Sequence, residues 1–93
     1  MIKIDDIIRI DNEEFFVITN MNYNNIDYFF VNQIDEKDES LNVYKIVFEE
    51  NNKINVLTDN DLINLLLPQF EEKINKLLKE LGDNNEWEFT IYK

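Results

Sequence analysis

Phe15-Phe16-Val17-Ile18-Thr19-Asn20-Met21 and Ile26-Asp27-Tyr28-Phe29-Phe30-Val31 are two runs dense in aromatic and β-branched residues, separated by Asn22-Tyr23-Asn24-Asn25. Such residues fit a pleated, half-buried surface, so both runs read as strands. The Asn-rich link reads as a hairpin connection, because Asn tolerates the positive φ that tight hairpins demand. The second run is apolar on both sides, with Tyr28 and Phe30 against Phe29 and Val31. A strand of that kind is either central and covered twice or part of an interface.

Working outward, Ile8 and Ile10 end a short first strand, and Asp11-Asn12-Glu13-Glu14 forms a turn through local Asx hydrogen bonds. On the other side, Asn42 to Glu49 alternates, with Tyr44, Ile46 and Phe48 on one face and Lys45 and Glu49 on the other. Glu50-Asn51-Asn52 then turns the chain into a strand from Lys53 to Leu57. Gly82 is the single glycine, so asparagine, present 15 times, takes its place at several turns. Five short strands joined by tight turns imply an antiparallel meander or a small barrel.

The period changes after Leu57. Thr58 or Asp59 caps a helix that continues through Leu62, Leu65 and Leu66. Pro68 lacks an N–H and disfavours helix at Leu67, so a kink or a restart is expected there. Phe70, Ile74, Leu77, Leu78 and Leu81 form an apolar stripe, closed by Gly82 as C-cap. Glu86 to Tyr92 alternates again, with Trp87, Phe89 and Ile91 on one face, and reads as a terminal strand. The expected fold is α+β, over one domain spanning 1–93. It combines a five- to six-stranded curved antiparallel sheet or small SH3-like barrel, a Pro68-kinked helix pair and that terminal strand.

Ninety-three residues with 44% apolar content are enough for one core. The chain has no cysteine, and Met1-Ile2-Lys3-Ile4-Asp5-Asp6 meets acid before any signal-like apolar run. A cytoplasmic location is expected. No apolar stretch approaches the ~20 residues that span a bilayer.

Twenty acids stand against nine bases, and the formal net charge is −11. Direct binding to nucleic acid or to anionic membranes is therefore not expected, since both rest on Lys and Arg. A basic protein surface would be attracted. Without histidine or cysteine, neither Ser-His-Asp nor Cys-His catalysis nor the usual zinc sites can be built. One glycine cannot make a phosphate loop, and Ser40, the only serine, follows Asp38 and Glu39 and has no activating base. The expectation is a protein that is not an enzyme and carries no cofactor or metal. Asp35-Glu36-Lys37-Asp38-Glu39 is the densest acidic run, but as a calcium loop it fails. Its sixth and twelfth positions, where Gly and an acid belong, are Ser40 and Ile46.

The acids are thus candidates for partner binding: Asp35, Glu36, Asp38 and Glu39, Glu49 and Glu50, and Glu86 and Glu88 flanking Trp87. Asp5, Asp6, Asp11, Glu13, Glu14 and Asp83 project from other turns and strand ends. Gathered on one side, such carboxylates imitate phosphates; scattered, they only solvate a surface. Tyr23, Tyr28, Phe29, Tyr44, Trp87 and Tyr92 supply either a contact patch or core.

Several segments carry a resemblance: Asp5-Asp6-Ile7-Ile8-Arg9-Ile10-Asp11, Tyr28-Phe29-Phe30-Val31, Val43-Tyr44-Lys45-Ile46 and Asp61-Leu62-Ile63-Asn64-Leu65-Leu66-Leu67-Pro68. Over roughly residues 5 to 80 the chain resembles an uncharacterised family of small acidic domains from low-G+C bacteria, their phages and other mobile elements. That family implies no activity or site residues, and the segment 86–92 departs from it. In general character the chain is also similar to phage anti-CRISPR-type inhibitors. That likeness implies a stoichiometric inhibitor, a nucleic-acid mimic that masks a basic surface of a nucleic-acid-binding protein. The alternative is a housekeeping or structural domain that forms a homodimer through its sheet edge and helix.

Overall fold

The computed structural model describes residues 1–80, in two compact units, Met1–Leu57 and the segment from Thr58 onward. The first holds β1 (Ile7–Ile10), β2 (Glu13–Tyr23), β3 (Ile26–Ile34), β4 (Ser40–Glu50) and β5 (Lys53–Val56). All pairings are antiparallel and the order is β1-β2-β3-β4-β5, a meander curled into a nearly closed, barrel-like sheet.

Three of the four connections are two residues long. Asp11-Asn12, Asn24-Asn25 and Asn51-Asn52 all sit at positive φ, between 50° and 68°. Two successive left-handed residues are what a type I′ hairpin turn requires, and its twist matches that of the strands it joins. Side chains that bond locally lower the cost of this conformation, which explains Asx in a chain without glycine there.

The sheet buries both faces. On one, Ile2, Phe15, Val17, Phe29, Val31 and Val47 form a core cluster, against which Ile8 and Ile10 of β1 and Ile54 and Val56 of β5 pack. The two edge strands meet the same cluster because the sheet curves around it. On the other face Thr19, Tyr28, Phe30 and Ile46 are buried, and the Phe30 and Tyr44 rings stack with centroids 5.4 Å apart. Strand β3 is therefore central and covered twice. A bulge falls between Val17 and Thr19 on β2, since Val17 lies opposite Val31 but Thr19 lies opposite Phe30. The extra residue, Ile18, moves the later part of β2 to the opposite face. The face expected to be polar at Lys45 and Glu49 is also enclosed. Val47 between them is fully buried, and the Lys45 ammonium sits 5.8 Å from the Phe15 ring centroid.

The segment ahead of β1 joins this unit. Asp5 donates its N–H to the Val17 carbonyl at 2.9 Å, and Val17 returns a bond to Asp6 at 2.9 Å. The Ile2 N–H donates to Glu49 Oε1, and the terminal amine lies 3.9 Å from Glu49 Oε2.

The second unit contains α1 (Asn60–Glu80). Asp59 Oδ1 caps it, accepting from the N–H groups of Asp61 at 3.0 Å and Leu62 at 3.2 Å. Leu66, Phe70 and Ile74 are buried, whereas Leu77, on the same side by spacing, is 43% exposed.

The expected fold needs correction here. In place of a helix pair divided at Pro68, one helix runs through it. Pro68 and Asn64 are both exposed, so the Asn64 carbonyl freed by proline is open to water. Gln69 Nε2 donates to the next carbonyl, that of Leu65, at 3.0 Å. The described fold is thus five strands and one helix; the terminal strand expected over 86–92, and Gly82, lie outside the described residues. Among the described residues no helix is long and apolar enough to cross a membrane.

Replacing Asn52 tests the turn. Asn52→Gly should change stability by less than about 1 kcal/mol, because relief at φ 62° is offset by a freer unfolded chain. Asn52→Val should cost about 1–2 kcal/mol or more. Urea unfolding of the three proteins gives the comparison.

Candidate functional site

A meander reverses direction at every connection, so alternate connections share an end of the sheet. The Asp11-Asn12 turn and the 35–39 loop lie at one end, and the Asn24-Asn25 and Asn51-Asn52 turns lie at the other. Among the described residues the first end collects Asp11, Glu13, Glu14, Asp35, Glu36, Asp38 and Glu39, with Arg9 and Lys37 beside them. The register makes this concrete: Glu14 stands opposite Arg9 on β1 and opposite Ile34, the residue before the loop, on β3.

Glu49 and Glu50 belong to the other end. At ~3.3 Å per residue, β3 separates the two ends by about 30 Å. There Glu50 stands opposite Lys53, and Glu49 is engaged by the Ile2 N–H and the terminal amine. The candidate acids are therefore split: Asp35, Glu36, Asp38 and Glu39 come together with Asp11, Glu13 and Glu14, and Glu49 and Glu50 do not join them. Glu86, Trp87 and Glu88 lie outside the described residues.

Within the 35–39 loop the acids have different jobs. Asp35 Oδ1 accepts the N–H groups of Lys37 at 2.8 Å and Glu39 at 2.9 Å. Asp35 N–H donates to the Glu39 carbonyl at 2.9 Å, and Asp38 N–H donates to the Asp35 carbonyl at 3.0 Å. Asp38 holds φ at 60°. Asp35 thus ties the loop to itself through one carboxylate oxygen, while Glu36, Asp38 and Glu39 are exposed.

Asn32 anchors the loop's far side. It is 5% exposed, and its Nδ2 donates to the carbonyls of Leu41 at 2.6 Å and Val43 at 3.2 Å. Its Oδ1 accepts the Ser40 hydroxyl at 2.6 Å. From Asn32↔Tyr44 to Ile34↔Ser40 the register advances two residues on β3 and four on β4. The Asn32 side chain bonds the carbonyls of the slack segment that the ladder leaves out. No pattern in the sequence marks Asn32, one asparagine among many, for that role.

The aromatic candidates fall mainly to the core: Tyr28 and Phe29 are buried, and Tyr23 and Tyr44 are half-buried. Trp87 and Tyr92 lie outside the described residues. Among the described residues no three acids are placed to hold a metal ion. The arrangement presents a fixed cluster of negative charge that attracts cationic groups. Compared with known proteins, the chain finds no match among family models, curated proteins or solved structures.

Asp35→Ala should lower stability by about 1 kcal/mol, the net worth of its two exposed hydrogen bonds to backbone N–H groups that water then takes over. Glu36→Ala should stay within about 0.5 kcal/mol, as expected of an exposed side chain. Chemical denaturation measures both.

Proposed function

We propose that this chain is a non-enzymatic binding protein that acts stoichiometrically, laying the acidic end of its sheet on a basic surface of a nucleic-acid-handling protein. The observation that supports this is the meander's gathering of Asp11, Glu13, Glu14, Glu36, Asp38 and Glu39 on a scaffold locked by backbone bonds. A rigid cluster loses little entropy on binding, and its field speeds encounter with an oppositely charged partner. Mimicry of nucleic acid is then local. A duplex carries a charge per ~1.7 Å of axis, and the compact end stands in for a few phosphates rather than a long stripe. The likeness in character to anti-CRISPR-type inhibitors belongs to this same reading.

Self-association through a sheet edge has less support. Edge strands β1 and β5 have four residues each and offer few main-chain groups to a second copy.

The test is retention of host proteins on the immobilised chain at rising salt. A basic nucleic-acid-binding protein should be held at low salt and released as salt rises. A chain carrying Glu13→Gln, Glu14→Gln, Glu36→Gln and Glu39→Gln should hold it at least ~tenfold more weakly, and Glu50→Gln should change little. Retention that ignores both salt and the fourfold substitution sinks the proposal.

A further inference from the structure

Next to the acidic end lies a hollow of about 380 Å³, lined by Ile7, Phe16, Asn32, Ile34, Asp38 and Ser40. Cross-strand partners share a face of the sheet, and here Ile7 stands opposite Phe16, Phe16 opposite Asn32, and Ile34 opposite Ser40. The hollow thus spans four strands on one face. Ile7 is 49% exposed although it is a large aliphatic side chain, and Phe16 beside it is half-buried.

The polar groups of Asn32 and Ser40 in the wall are already engaged. Asn32 uses its amide on Leu41 and Val43 and its carbonyl on Ser40. What the hollow offers a ligand is therefore the apolar surface of Ile7, Phe16 and Ile34. Its rim is acidic, because Asp38 lines it and Glu36 and Glu39 share the same exposed loop. The volume falls at the lower end of the ~300–1,000 Å³ typical of ligand sites, suited to one large side chain inserted from outside.

We infer that this hollow receives an apolar side chain from a basic segment of a protein partner, with Lys or Arg on either side of it facing Asp38, Glu36 and Glu39. The inference rests on the function proposed above and names the chemistry that such a partner presents. Charge complementarity selects the occupant. A second copy of this chain carries −11 and would bring acid against acid, whereas a cationic segment meets the rim favourably while its apolar residue covers Ile7 and Phe16. An apolar anchor in a pocket bordered by charges gives both affinity and register.

The full chain is titrated against labelled nine-residue peptides of Lys and Arg that carry Leu, Met, Phe or Ser at the centre, and binding is followed by fluorescence anisotropy. At least one apolar-centred peptide should bind about tenfold tighter than the Ser-centred one, the effect of burying one large side chain. Ile7→Ser, at an exposed edge position, should remove most of that difference. The combination Glu36→Gln, Asp38→Asn and Glu39→Gln should weaken every peptide. Equal affinity for all four centres, or a preference that survives Ile7→Ser, overturns the hollow and leaves the acidic end standing. Absence of salt-sensitive binding by any of the peptides overturns both.

Discussion

Two adjacent residues held in the left-handed region, at three separate turns, fix how this sheet assembles. A two-residue connection has no slack, so Asp11-Asn12, Asn24-Asn25 and Asn51-Asn52 determine which residue of each strand meets which on the next. Side chains alternate along a strand, and a slip of one residue would turn Phe15 and Val17 out of the core cluster. Glycine would take up these angles with less strain, yet none stands at any of them. Asn and Asp are the residues next best able to do so.

From that register follow the two covered faces. On the face of Phe15 and Val17, curvature lets β1 and β5 pack on one shared cluster. The bulge at Ile18 moves β2 from that cluster to the opposite face partway along its length. The second irregularity, opposite Gln33, frees the start of β4, and Asn32 bonds the carbonyls left over. That same region carries the acidic loop. The charge display and the irregular pairing are thus one piece of architecture, built where strict alternation gives way.

Strands and turns were legible because their signals are local. Alternation in 42–49 and the Asn pairs between apolar runs identify their structure without reference to the rest of the chain. The features that were not legible depend on distant partners. Ile2 is buried in a cluster drawn from β2, β3 and β4 and bonds Glu49, 47 positions away, and the bulge at Ile18 is visible only once β3 is laid beside β2. Pro68 misled because its effect depends on which side of the helix it occupies; on the exposed side the helix continues. The grouping of Asp11, Glu13 and Glu14 with the 35–39 loop required the direction of each strand, which no acidic run reveals by itself. Asp35 reads as one more surface charge until its oxygen is found on two backbone donors.

Among the described residues every ladder in the sheet joins strands consecutive in the chain, and the longest link between them is the five-residue segment 35–39. Loop-closure entropy grows with the logarithm of length, so no single pairing faces a large entropic barrier. β-proteins fold slowly chiefly when distant segments must find each other, and this topology asks little of that search. The sheet is free to grow outward from the β2–β3 hairpin, one neighbour at a time.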